Sequence, residues 1–371
     1  MKQHSQSTSR APSPESAHSD AAGAAADLTA WQALRRRVGI RPGALFDHLL
    51  HGAAALVRLG PWAWPSVHDL EVLRDIPYTG SGLGEHRLDI YRPRRPRRPR
   101  RTQRPQRPQR REALPVVFYI HGGAFASLSK DTHWPIALLF ARKGYLVCSI
   151  NYRLAPRHRF PAALEDCCQA LDWLRREGPG LGADLDQLIL AGESAGANLA
   201  TALALATSSP RPEPYAAALY GEGEAQLRPL AVLASCGLLQ VTDCQRLLPN
   251  GQGPAWITEL IEMVDGYLPA GRADQSELMD PLLCLERFAA HGELPPRPLP
   301  PFFVCAGTAD PLLQDSRRLV QALAQLEVPC EAQFSDGEPH AYHALLWRRQ
   351  AQQCWQATFD FLERARAQVQ R

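Results

Sequence analysis

LILAGESAGANLA, residues 188–200, decides the fold. The run Leu188-Ile189-Leu190 is apolar and short, as a buried strand is. The small residues from about Ala195 to Ala206 read as a helix. Between them Gly192 and Gly196 flank Ser194 in a GxSxG pattern. A sharp strand-to-helix turn of this kind pushes the serine hydroxyl into the open, and the glycines let neighbouring backbone approach it. The new helix aims its free N–H groups and positive dipole end at the same point. The Ala195 amide is then placed to hold a negative oxygen. A plainer reading makes Ser194 only the cap of that helix.

The segments around this one repeat the strand–helix alternation. From Asp75 the chain reads as β, with Leu88, Ile90 and Tyr91 alternating with Arg87 and Asp89. LPVVFYI at 114–120 and the run Tyr145–Ile150 are continuous apolar stretches, as in buried parallel strands. Residues 229–239, Phe302–Ala306 and Cys330–Phe334 read as further strands. Helices are expected near Trp134–Lys143, over Pro161–Arg176, through most of 244–285, over Leu319–Leu326 and from Ala344 to Ala367. Such alternation implies right-handed crossovers, so the fold class is α/β with a mostly parallel sheet and helices on both faces. Two amphipathic helices, carrying Trp31, Leu34 and Val38 and then Leu45 to Leu59, precede it and stop at Gly60-Pro61.

A serine hydroxyl needs a base, and the base needs an acid to hold it. On such a sheet they follow the serine on loops after later strands. Asp310 lies on the loop after Phe302–Ala306, and His340 on the loop after Cys330–Phe334. His343, Asp315 and Asp336 are rivals. His343 could face the same cavity but suits the start of the last helix, Asp315 suits a cap or ion pair, and Asp336 shares a loop with His340. A second source of amides is expected after an earlier strand, where His121-Gly122-Gly123-Ala124-Phe125 follows LPVVFYI. Gly122 and Gly123 leave the backbone N–H groups bare, and His121 suits a bond within its own loop.

Bulk composition removes other classes. The 371 residues, 45% hydrophobic, can bury a large core. Net charge is +3, with 41 basic and 38 acidic residues. Eleven of the arginines fall in 92–111, so the remainder is acidic by eight charges. A specific nucleic-acid domain would spread basic residues over a folded face. Nine cysteines without CxxC spacing argue against a disulfide scaffold or a structural zinc site, and suggest reduced thiols in a cytoplasmic protein. No apolar run is long enough to span a membrane. Residues 1–27 are polar and suit a disordered tail, and PRRPRRPRRTQRPQRPQRR suits an extended, solvated loop.

Several motifs in order resemble the hormone-sensitive-lipase-like family of α/β-hydrolase fold esterases. They are HGGAF at 121–125, NYRLAP at 151–156, FPAALEDC at 160–167, GESAG at 192–196, DPLLQD at 310–315 and EPHAYH at 338–343. The resemblance covers roughly 84–366 apart from the Arg/Pro tract. It implies Ser194, Asp310 and His340 as a catalytic triad, and Gly122, Gly123 and Ala195 as oxyanion-hole donors. It makes Arg153 and Asp166 framework residues. It also implies a helical cap, here 28–75 and about 240–285, over a catalytic domain spanning 76–371. Ala124 stands where a third glycine is common, Glu193 where Asp also occurs, and Asn151 where Asp is frequent.

The expected function is hydrolysis of short- to medium-chain carboxylic esters, with no cofactor and no metal. A small-molecule ester is the expected partner, and a homodimer is compatible with the sequence. Trp31, Leu34, Trp62, Trp64, Trp256, Ile257, Ile261 and Tyr267 are expected to roof an apolar pocket. The alternatives are an amidase, deacetylase or peptidase with the same triad, and a scaffold that recruits polyanions through the Arg/Pro tract.

Overall fold

The computed structural model describes residues 43–94, 113–221, 226–248, 251, 254–270 and 276–369. The expected tail, the helix with Trp31 and Leu34, and most of the Arg/Pro tract lie outside the described residues. In chain order the elements are α1 (Ala44–Arg58), β1 (Leu70–Pro77), β2 (Arg87–Pro93), β3 (Leu114–Ile120), α2 (Trp134–Arg142), β4 (Leu146–Ile150), α3 (Ala162–Leu181), β5 (Ala183–Glu193), α4 (Ala195–Ser208) and α5 (Pro214–Tyr220). They continue with β6 (Ala231–Ser235), α6 (Ala255–Tyr267), α7 (Pro281–His291), β7 (Phe302–Gly307), α8 (Leu313–Gln325), β8 (Cys330–Ser335) and α9 (Arg349–Val369).

The eight strands form one sheet in the order β1-β2-β4-β3-β5-β6-β7-β8. β1 and β2 are antiparallel to their neighbours, and β3 to β8 are parallel throughout. The period-2 alternation of β3 divides the core between the two faces. Val116, Phe118 and Ile120 join one apolar cluster with Leu164, Leu171 and Leu203, while Val117 and Tyr119 join the other with Phe140 and Trp355. Both faces of β3 are therefore buried, which explains its unbroken apolar sequence. Each fully buried Leu or Phe contributes roughly 1.5–3 kcal/mol. α4 lies against β3, β5 and β6, and its small residues are all buried. A helix of larger side chains could not lie so close to the sheet.

Several boundaries differ from the sequence reading. β5 starts at Ala183 rather than Leu188, because Leu114 and Pro115 pair with Ala183 and Asp184. β6 stops at Ser235, since Cys236 turns the backbone out of the sheet at φ 42°. α8 begins at Leu313, six residues before the expected helix start. β1 begins at Leu70, within the stretch read as cap. The last helix begins at Arg349; residues 342–344 form a separate short turn of 3-10 helix that carries His343 inward.

Candidate active site

Because β5, β7 and β8 are parallel, the residues after their carboxyl ends share one edge of the sheet. Ser194 follows β5 at φ 55° and ψ −115°, a conformation costly for a residue with a side chain. Backbone bonds hold it there: its N–H donates to Ser235 O at 2.8 Å, and its carbonyl accepts from Leu238 N at 3.2 Å. Gly122 packs beside it, where an added β-carbon would lie 3.0 Å from the Glu193 carbonyl oxygen and 3.4 Å from Ser194 Cβ. Among the described residues, the N–H groups of Gly122, Gly123 and Ala195 donate to no acceptor. Gly123 takes φ 110°, which suits only glycine. Its carbonyl is turned away, accepting from Ala126 N and the Ser127 hydroxyl.

His340 Nδ1 donates to Asp310 Oδ2 at 2.8 Å, and Asp310 Oδ1 accepts the Leu312 amide at 2.8 Å. Asp310 is buried, while His340 keeps 28% of its side chain exposed. Burial alone would lower the His340 pKa. The Cys236 sulfur and the Asp310 carboxylate outweigh it and hold the ring well above the usual imidazole value. Among the described residues no hydrogen bond joins the Ser194 hydroxyl to His340. Such bonds often tighten only when substrate arrives. In its neutral form, an imidazole fixed in this way can take a proton from a nearby hydroxyl and hand it on.

The rival residues have other partners. Asp315 accepts the Leu239 amide at 2.9 Å and the Arg246 guanidinium at 2.5 Å. Asp336 accepts the Thr308 hydroxyl at 3.1 Å. His343 is buried beneath the site, with Nε2 3.0 Å from Glu193 Oε2 but off the hydrogen-bond direction. His133 approaches the other carboxylate oxygen at 3.4 Å. Burial would raise the Glu193 pKa; these two histidines outweigh it and hold it well below the usual carboxylate range. The residue next to Ser194 is thus an ionised carboxylate between two imidazoles. His121 stacks on Tyr152 at 4.2 Å and bonds the Gly122 carbonyl at 2.7 Å. Burial, with His133 beside it, pushes its pKa down to about 3.

Arg153 and Asp166 brace the loop behind the site. Asp166 is fully buried and accepts Arg153 N at 2.7 Å, Arg153 Nε at 2.9 Å and His86 Nε2 at 3.0 Å. Sequence reasoning missed Cys236, the first residue past β6, whose sulfur lies among the side chains of this edge. Its signal was positional: β6 runs between the strands that end at Ser194 and Asp310.

Part of the expected roof is corrected. Trp62 packs on Trp134, and it and Trp64 are about half exposed; Trp62 sits on the first of two short 3-10 turns leading into β1, and Trp64 links the two. Trp256 is also half exposed. Ile257, Ile261 and Tyr267 are buried on α6, with Tyr267 stacked on Phe125 at 3.9 Å. α1 and α6 meet where the Gly43 amide donates to Glu259. Between them a shallow cleft is lined by Ala44, Asp47, Ala126, Ser127, Met263 and Gly266. A second, water-sized hollow is lined by Tyr119, Cys305, His343 and Trp355. No described helix is long and apolar enough to cross a membrane.

Comparison with known proteins gives the same architecture. A family model described as alpha/beta hydrolase fold matches residues 117–344. An acetyl esterase of Salmonella schwarzengrund (strain CVM19633) is 31% identical over 233 residues, which are 61% of this chain. The match spans 65% of that relative's length. The crystal structure of esterase LipW from Mycobacterium marinum is 25% identical, with a TM-score of 0.63 over 86% of this chain and 87% of that one. A hyperthermophilic esterase from Pyrobaculum calidifontis, 21% identical, shares the fold with a TM-score of 0.64 over 91% of this chain and 97% of that one. With its motifs in order along such a sheet, the chain belongs to the alpha/beta hydrolase fold family, in the hormone-sensitive-lipase-like group that those motifs resemble.

Proposed function

We propose that this protein is a serine carboxylesterase that cleaves short- to medium-chain carboxylic esters. His340 takes the proton of Ser194 as its oxygen attacks the ester carbonyl. Asp310 holds the imidazole and stabilises its charged form. The amides of Gly122, Gly123 and Ala195 hold the oxyanion, each donor worth about 3 kcal/mol in such sites. The alcohol leaves with the proton from His340, and water releases the acid by the same route.

The observation that carries this reading is the 2.8 Å bond between His340 and Asp310, on the sheet edge where Ser194 is held at a positive φ. The amides without acceptors beside Ser194 support it. So does the name of the Salmonella relative, acetyl esterase, which points to small acyl groups.

The test is a panel of p-nitrophenyl esters of increasing acyl length, with matched anilides, run on wild type and Ser194→Ala. The expected result is turnover of acetyl to medium-chain esters that disappears in Ser194→Ala. Preference for anilides would move the assignment to an amidase or peptidase. Turnover that survives in Ser194→Ala would remove the mechanism.

A further inference from the structure

We propose that Cys236, Asp310 and His340 form a binding site for a thiophilic divalent cation, zinc above all, whose occupancy switches the esterase off. The switching rests on the catalytic reading above; the binding site does not. One sulfur, one carboxylate oxygen and one ring nitrogen of these residues lie within 4.8 Å of one another. Zinc takes Cys sulfur at about 2.3 Å and His nitrogen or carboxylate oxygen at about 2.0–2.2 Å. The corners of such a tetrahedron are roughly 3.3–3.6 Å apart. Small side-chain rotations would therefore close the three groups around an ion, leaving the fourth position for water.

The backbone supports the placement. Cys236 leaves β6 at φ 42°, with its N–H on Cys305 O at 2.7 Å. That turn sets its thiol between the loops carrying Ser194 and Asp310. Cys236 is fully buried and belongs to neither of the two apolar clusters. His343, three residues on from His340, is also buried, and its Nδ1 has no hydrogen-bond partner.

The remaining thiols differ. Cys148, Cys167 and Cys168 sit in one apolar cluster, and Cys305 and Cys354 in the other. The partly exposed His340 ring gives an ion access from the side where an ester would approach. Binding releases the thiol proton and any proton on the liganding ring nitrogen to solvent. Asp310 and His340, held as ligands, can then no longer pass a proton to and from Ser194.

The experiment uses the full chain as wild type, Cys236→Ser, Cys236→Ala and Cys330→Ala. Cys330 is the partly exposed thiol that controls for unrelated binding. Zinc uptake is measured by equilibrium dialysis, and cadmium uptake by sulfur-to-cadmium charge-transfer absorption. Hydrolysis of p-nitrophenyl acetate is measured with and without Zn²⁺ and then EDTA. One ion should bind wild type and Cys330→Ala. Both Cys236 variants should lose about a hundredfold or more in affinity, since even the groups that merely support ligands are worth ten- to a hundredfold. Zinc should inhibit wild type reversibly and leave the Cys236 variants active.

Equal binding by wild type and either folded Cys236 variant would overturn the site. Cys236-dependent binding without inhibition would overturn the switch. A metal-free chain that hydrolyses no ester but binds cadmium through Cys236 would remove the esterase reading and leave the site standing.

Discussion

Gly196 backs onto the Ile120 carbonyl oxygen so closely that a β-carbon at Gly196 would overlap it. The same β-carbon would also press on the His121 carbonyl. These are backbone atoms of β3 and of the loop that carries Gly122, so neither can swing aside as a side chain would. Gly196→Ala is expected to cost about 1–3 kcal/mol of stability, as overpacking does. It should also remove most activity by shifting Ser194 against Gly122. Urea unfolding and ester turnover check both; a stable and fully active variant would mean the two loops are not locked together.

Asp310 orients His340 through a single bond of 2.8 Å. Asp310→Asn keeps the shape but favours the wrong ring tautomer. The expected result is a fall in kcat of about 10³–10⁴-fold with KM little changed. Steady-state kinetics on a p-nitrophenyl ester decide it, and a loss expressed mainly in KM would point to a binding role.

Glu193 gives a pH signature. Its pKa is depressed, so the stability it contributes is whole above the unfolded value near 4.5 and is lost as pH falls through the folded value. His343 is the reverse case. Burial would lower it, but Cys236 and Glu193 hold it above 6.5. Its contribution is therefore whole below 6.5 and is lost as pH rises through the folded value. Glu193→Gln should cost about 3 kcal/mol at neutral pH, the scale for breaking a buried ion pair. The penalty should shrink as the pH drops into the carboxylate range. Urea unfolding of both proteins across pH would show it, and a penalty independent of pH would contradict the ionised state of Glu193.

Asp166 braces rather than reacts. Asp166→Asn leaves Arg153 and His86 facing a neutral partner, at a cost of about 3 kcal/mol or more. Activity per folded molecule is expected to stay within a few-fold of wild type. A stable variant with no turnover would place Asp166 in the chemistry instead.

Much of the architecture could be read from the chain. β3 and β7 are apolar throughout, and β4 is broken only by Ser149, because both faces of the sheet are covered, so their sequences announced them. GESAG, HGGAF and the loops with Asp310 and His340 were legible because each follows a strand. Pairing partners were not: β5 is lengthened by residues that match Leu114 and Pro115, which no local pattern encodes. Trp62 and Trp64 were read as roof because aromatic residues look alike whether they cover a pocket or a flank. Cys236 escaped notice because its meaning lies in strand order, β5-β6-β7, and not in its own neighbours.

β2 runs antiparallel to β4, so it ends on the edge where the parallel strands begin. There the Arg94 amide is tied to Asp69 O at 2.5 Å, and the arginine-rich stretch departs from that knot. Ser194, Asp310 and His340 stand on the opposite rim. The stretch between Arg94 and Leu114 is thus anchored at both ends a full sheet depth away from the reaction.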